Sequence, residues 1–173
     1  MLHRNQLPVI LLSILTLFAA HETLAQKAKQ KSKKSKGRPA ETVITFKKGQ
    51  FKDCGDSITI DKHSLMVSHL ENDTTTCYFG NEEDLLWLYP ATLYMKLNRD
   101  RKIKEIQVIV NDNCRMECTT SNLYNVDGEL IANQSNKMTY QDETLSFTLP
   151  EDYGTLNITS YEGMVKQIRI VYQ

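Results

Sequence analysis

From Thr42 onward the sequence is patterned with a period of two, and no window shows the 3.6-residue period of an amphipathic helix. A chain written this way puts alternate side chains on opposite faces of strands. Each strand then has an apolar face that must be buried against a second layer. Residues 42–46 are β-branched and aromatic, residues 57–60 alternate polar with apolar, and residues 106–110 form a strong strand pattern. Leu93, Met95 and Leu97 share one face, as do Leu145, Phe147 and Leu149. Further strands are predicted over 65–70, 75–79, 85–89, 123–126, 129–132, 156–160 and 165–171. An acidic turn, Asn81-Glu82-Glu83-Asp84, separates two of them, Pro90 ends the second, and Asp127-Gly128 is a hairpin signal. About ten short strands with turn residues between them predict an all-β fold, an antiparallel β-sandwich of jelly-roll-like form.

The 132 residues from Thr42 are enough to build one core. What precedes them is of a different kind. An apolar run over residues 7–20 follows Arg4 and ends in Thr23-Leu24-Ala25, which reads as a signal peptide over residues 1–25. The run is 14 residues, short of the roughly 20 a spanning helix needs, so no transmembrane span is expected in the mature protein. Residues 26–41 then form a basic linker, with Lys27, Lys29, Lys31, Lys33, Lys34, Lys36 and Arg38 against Glu41 alone. With two alanines as its only apolar side chains, that segment cannot offset its ordering entropy and is expected to be disordered. It can contact an anionic surface electrostatically. Lacking interleaved aromatics, it offers nothing for specific nucleic-acid recognition. Beyond it the charge reverses, with 13 basic and 19 acidic residues over 42–173.

Several strand segments carry a family likeness. Leu86-Trp87-Leu88-Tyr89, Leu93-Tyr94-Met95 and Lys102-Ile103-Lys104-Glu105-Ile106-Gln107-Val108 resemble a domain found in many secreted Bacteroidetes proteins. So do Thr144-Leu145-Ser146-Phe147-Thr148 and the closing stretch over 163–172, although Tyr140-Gln141-Asp142 stands where that domain has Trp-x-Gly. The resemblance covers residues 42–173 and implies a secreted β-sandwich, usually of unassigned function and sometimes attached to surface or glycan-related proteins. A second stretch, Leu123-Tyr124-Asn125-Val126-Asp127-Gly128-Glu129-Leu130-Ile131, is similar to the hairpin of type IX secretion C-terminal sorting domains.

Chemistry-bearing residues are sparse. In an exported domain the four cysteines point to disulfides, with three pairings open. Cys114 and Cys118 are spaced for a local bridge, and Cys54–Cys77 would then close about 24 residues, worth roughly 3 kcal/mol. A tetrathiolate zinc site needs two short cysteine pairs and the chain has one, so no metal or cofactor is expected. Asn111-Asp112-Asn113 has oxygen ligands for calcium, and turn chemistry accounts for it equally. His63 and His69 come with no metalloprotease spacing, nucleophile elbow or phosphate loop, which argues against an enzyme. The remaining candidates are aromatic. Trp87 and Tyr89 alternate with Leu86 and Leu88, so one pair must face outward, and Tyr78, Tyr94 and Tyr153 are available to join them. With Glu82 and Asp84 as hydroxyl acceptors, Trp87 and Tyr89 make a candidate surface for a neutral glycan. The sequence therefore predicts an exported, non-enzymatic module that binds a glycan or an envelope protein. The contrasting expectation is a structural or sorting domain with no ligand of its own.

Overall fold

The structure, a computed structural model, describes residues 41–70, 73, 76–82, 84–114 and 118–173. The expected leader and the basic linker lie outside the described residues, except Glu41, which opens the first strand. Twelve strands are described: β1 (Glu41–Ile44), β2 (Ser57–Ile60), β3 (His63–Ser68), β4 (Phe79–Glu82), β5 (Leu85–Leu88), β6 (Ala91–Lys96), β7 (Ile103–Asp112), β8 (Thr119–Asn125), β9 (Leu130–Ser135), β10 (Glu143–Thr148), β11 (Tyr153–Ser160) and β12 (Gly163–Tyr172). No helix occurs among the described residues.

All the strand pairings are antiparallel and form two six-stranded sheets. One runs β10-β7-β12-β5-β4, with β1 also on β12; the other runs β2-β3-β6-β11-β8-β9. β5 takes residues 163–165 of β12 and β1 takes residues 168–171. Among the described residues, β2–β3, β4–β5 and β8–β9 are the hairpins within a sheet, and the other connections between consecutive strands cross between sheets. That is a jelly-roll-like β-sandwich.

Burial follows the alternation. Ile106, Val108 and Val110 of β7, Val165, Ile168 and Ile170 of β12, and Leu86 and Leu88 of β5 face inward from one sheet. Leu65 and Val67, Leu93 and Met95, Leu123, and Leu156 and Ile158 face them from the other. All belong to one apolar cluster, and its burial is the main force holding the sheets together. At one sheet edge the Gln134 side chain imitates a strand. It accepts from the Ser146 amide at 3.0 Å and donates to the Ser146 carbonyl, which blunts the free edge of β10.

The expected strands over 57–60, 85–89 and 106–110 lie where observed strands run, and Gly128, at φ +83°, makes the β8–β9 turn. The segment before β5 differs. A strand was expected over 75–79 and a turn over 81–84, whereas residues 76–78 are irregular and β4 takes in Asn81 and Glu82. The reason is the turn. Asp84 adopts φ +64°, a conformation Asp tolerates, and closes the hairpin in two residues so that Glu82 pairs with Leu85.

Candidate functional site

The β4–β5 hairpin has two unlike faces, fixed by which side chains reach the core. Leu86 and Leu88 are fully buried and Phe79 packs against the core cluster. Gly80, Glu82, Leu85 and Trp87 therefore face outward, and Tyr78 and Tyr89 continue that alternation past the strand ends. The Tyr89 amide donates to the Tyr78 carbonyl at 2.8 Å and the Tyr78 amide to the Pro90 carbonyl at 3.2 Å, which keeps the two tyrosines side by side. They are 63% and 51% exposed, and Trp87 is half-buried.

Trp87 has Gly80 directly opposite on β4 and Met164 directly opposite on β12. The glycine puts no side chain over one flank of the indole, while Met164 across the ladder and Leu85 two residues back on β5, both half-buried, are apolar neighbours on the same face. Glu82 and Asp84 lie exposed at the turn end, and the Asp84 amide donates to the Phe46 carbonyl at 2.9 Å, anchoring the turn to the body of the domain. From Tyr78 to Glu82 the face is about 13 Å long by strand rise. It runs from a tyrosine pair, past an indole, to two carboxylates. Flat aromatic and apolar surface with acceptors at one end suits the C–H faces and hydroxyls of an extended sugar chain.

The four residues singled out from the sequence, Glu82, Asp84, Trp87 and Tyr89, thus belong to one hairpin, and Tyr78 joins them. Tyr94 and Tyr153 do not. Tyr94 lies on the outer face of the other sheet, between Met66 and Asn157. Tyr153 is buried; its hydroxyl donates to the Arg101 carbonyl and accepts from the Ile103 amide, each at 3.2 Å. Gly80 and Met164 were not legible as site residues, because only strand pairing brings them to Trp87.

The other chemistry-bearing groups are held structurally. Cys54–Cys77 and Cys114–Cys118 are disulfides, and no described cysteine is free. Asn111, Asp112 and Asn113 diverge as a strand requires. Asn111 donates outward to Asp142 at 2.7 Å, Asp112 is buried, and Asn113 is exposed. Burial pushes the Asp112 carboxyl up, against hydrogen bonds from Asn136 and the Cys118 amide. It also lies near the Cys114 and Cys118 sulfurs, but these are joined to each other and are not thiolate ligands.

His63 is fully buried at the start of β3. Its Nδ1 accepts from the Asn98 amide at 3.0 Å, so the proton sits on Nε2, which donates to the Tyr172 hydroxyl at 3.0 Å. Tyr172 donates in turn to Asp61 at 3.1 Å, and the Arg101 guanidinium lies 3.6 Å from the centre of its ring. Burial holds the imidazole below its ordinary value, against the favourable charge of Asp61. Both nitrogens are used, Nδ1 in holding the loop after β6 and Nε2 in tying β3 to β12, with none left for substrate or metal.

The chain matches no protein-family model and no curated protein. Solved structures resemble it at low identity. A family 29 carbohydrate-binding module complexed with mannohexaose is 11% identical over 78% of this chain and 93% of that one, with a TM-score of 0.47. A low-affinity xylan-binding module from Roseburia intestinalis is 10% identical over 78% of this chain and 96% of that one, at 0.38. A cleaved adhesin domain of Lys-gingipain is 7% identical over 76% of this chain and 99% of that one, at 0.43. Similarity at this level transfers neither ligand nor residue roles.

Proposed function

We propose that this protein is an exported, non-enzymatic module that binds a saccharide along the outer face of the β4–β5 hairpin, with Trp87, Tyr89 and Tyr78 stacking on sugar faces and Glu82 and Asp84 accepting from hydroxyls. One observation carries the reading: Trp87 faces out of the sandwich opposite a glycine, between an apolar flank and an exposed tyrosine pair. Large aromatics are normally drawn into the core, and an ordered row of them on an outer sheet face is a binding feature. Two disulfides support export to an oxidising compartment, the cell envelope or beyond it.

A glycan array probed with the purified protein and with Trp87→Ala tests the reading. Binding to a defined set of glycans, lost in the variant while its circular dichroism is unchanged, is the expected result. A protein that retains no glycan on the array supports instead a structural or sorting domain without a ligand.

A further inference from the structure

The inward face of the same hairpin borders an open depression of about 480 Å³. One wall is the loop from Lys48 to Cys54 and the other is β4 with Tyr78, Phe79 and Asn81. The Cys54–Cys77 disulfide ties the walls together, and Phe51, buried, meets Phe79 edge to face at 6.4 Å between ring centres. The loop is held in place by its own hydrogen bonds. The Lys47 amide donates to Gln50 Oε1 at 2.9 Å and the Gln50 amide to the Lys47 carbonyl at 3.1 Å, with Gly49 at φ +72° in the turn that presents Lys48. The Lys52 and Asp53 amides donate to Asp56 Oδ2 at 2.9 and 3.0 Å. Two ammonium groups thus stand on a pinned rim.

Three features bear on what this depression can receive. Lys48 and Lys52 close no ion pair with a described residue, a state they share with Lys47, Lys96, Lys104 and Lys137, and they flank the depression with Asp53 as its one lining carboxylate among the described residues. They stand on a domain with 19 acidic and 13 basic residues, where cations are the minority charge. Asn81, which lines the depression, has both ends of its amide shielded from water and without a hydrogen-bond partner among the described residues. Leaving such a group unbonded is costly, so an unpaired buried amide marks a place where a polar partner is gained.

We propose that this depression receives an acidic group, a carboxylate or a sulfate, carried by the saccharide that lies on the adjoining hairpin face. The proposal rests on the hairpin reading, and Tyr78 connects the two because it lines the depression and also ends the aromatic row. Lys48 and Lys52 supply charge-assisted hydrogen bonds to the anion, and the Asn81 amide supplies a donor beneath it.

The test is calorimetric titration of the intact protein with three probes: an oligogalacturonate, its fully methyl-esterified counterpart and a sulfated galactan oligosaccharide. Each is run on the parent, on Lys48→Gln/Lys52→Gln and on Trp87→Ala, with thermal melting as the fold control. At least one acidic probe is expected to bind about tenfold or more tightly than the neutral ester, the size one charge-assisted hydrogen bond confers. That preference is expected to vanish in the double-lysine variant and to shrink at about 0.5 M salt. Whichever acidic probe wins identifies carboxylate or sulfate as the source of the charge. An acidic-to-neutral ratio unchanged by the lysine substitutions overturns the proposal, and if Trp87→Ala still abolishes binding the hairpin reading survives it. Loss of acidic binding in the lysine variant alone, with Trp87→Ala fully active, supports the depression and overturns the hairpin reading. No binding of any probe to the parent overturns the proposal.

Discussion

Gly80 stands directly across the β4–β5 ladder from Trp87, and a Cβ at position 80 would lie 3.4 Å from the Trp87 Cβ, an ordinary contact. Alanine therefore fits there, while a longer side chain would spread over the indole. On the binding account Gly80→Ala keeps saccharide affinity and Gly80→Leu lowers it about tenfold, a loss of roughly 1.4 kcal/mol. Affinity electrophoresis of the two variants reads the difference. Equal retardation of Gly80→Leu and the parent would place the ligand elsewhere.

Because Trp87 is half-buried on the outer face of its sheet and is not part of the core cluster, removing it should leave the core intact. Trp87→Ala is expected to cost about 1–2 kcal/mol in urea unfolding, below the roughly 3–5 kcal/mol of truncating a fully buried aromatic. A loss in that higher range would show the indole to be a packing residue rather than a platform.

The Cys54–Cys77 bridge closes a loop with a sequence separation of 23 and joins the irregular residues before β4 to the loop before β2. Its removal by Cys54→Ser/Cys77→Ser should cost about 3 kcal/mol, chiefly by freeing the unfolded chain. Peptide mapping without reductant should recover Cys54 with Cys77 and Cys114 with Cys118. Crossed pairs, or four free thiols, would refute the connectivity.

His63 gives the fold a pH dependence of known sign. Burial depresses its folded value below 6.5, so the unfolded chain takes up a proton that the native state resists. Stability is therefore full above about pH 6.5 and is lost as the pH falls below it. Midpoints of thermal unfolding between pH 7.5 and 5 should carry a His63 contribution that declines on acidification in the parent. The slope should flatten in His63→Gln, whatever that variant's absolute stability. Because the raised Asp112 carboxyl acts in the opposite sense, the difference between the two curves isolates His63, and a parent that loses no more on acidification than His63→Gln would contradict the buried neutral imidazole.

The sandwich was legible because burial enforces period two. Leu93/Met95/Leu97 and Leu145/Phe147/Leu149 face the core as their spacing requires. The start of β8 was missed, since Thr119, Thr120, Ser121 and Asn122 carry no apolar signal; their pairing comes from β11 and from the Thr119–Ser160 hydroxyl contact at 2.9 Å. The hairpin turn was placed too early because Asn81 and Glu82 read as turn residues, yet pairing with Leu86 and Leu85 holds them in β4. That one of the two pairs, Leu86/Leu88 or Trp87/Tyr89, must face outward was readable from alternation. Which pair does so was decided by the competition for the core, where the leucines prevail.

Trp87 is the only tryptophan in the chain, so the intrinsic fluorescence of the folded protein reports on the proposed platform without a label. Titrating the protein with the glycans retained on the array, while recording indole emission and acrylamide quenching, shows whether a saccharide lies over Trp87. A saturable change in emission with protection of Trp87 from the quencher is expected, at the concentration where binding is seen calorimetrically. Binding that saturates while emission and quenching of Trp87 stay constant would contradict the proposed platform.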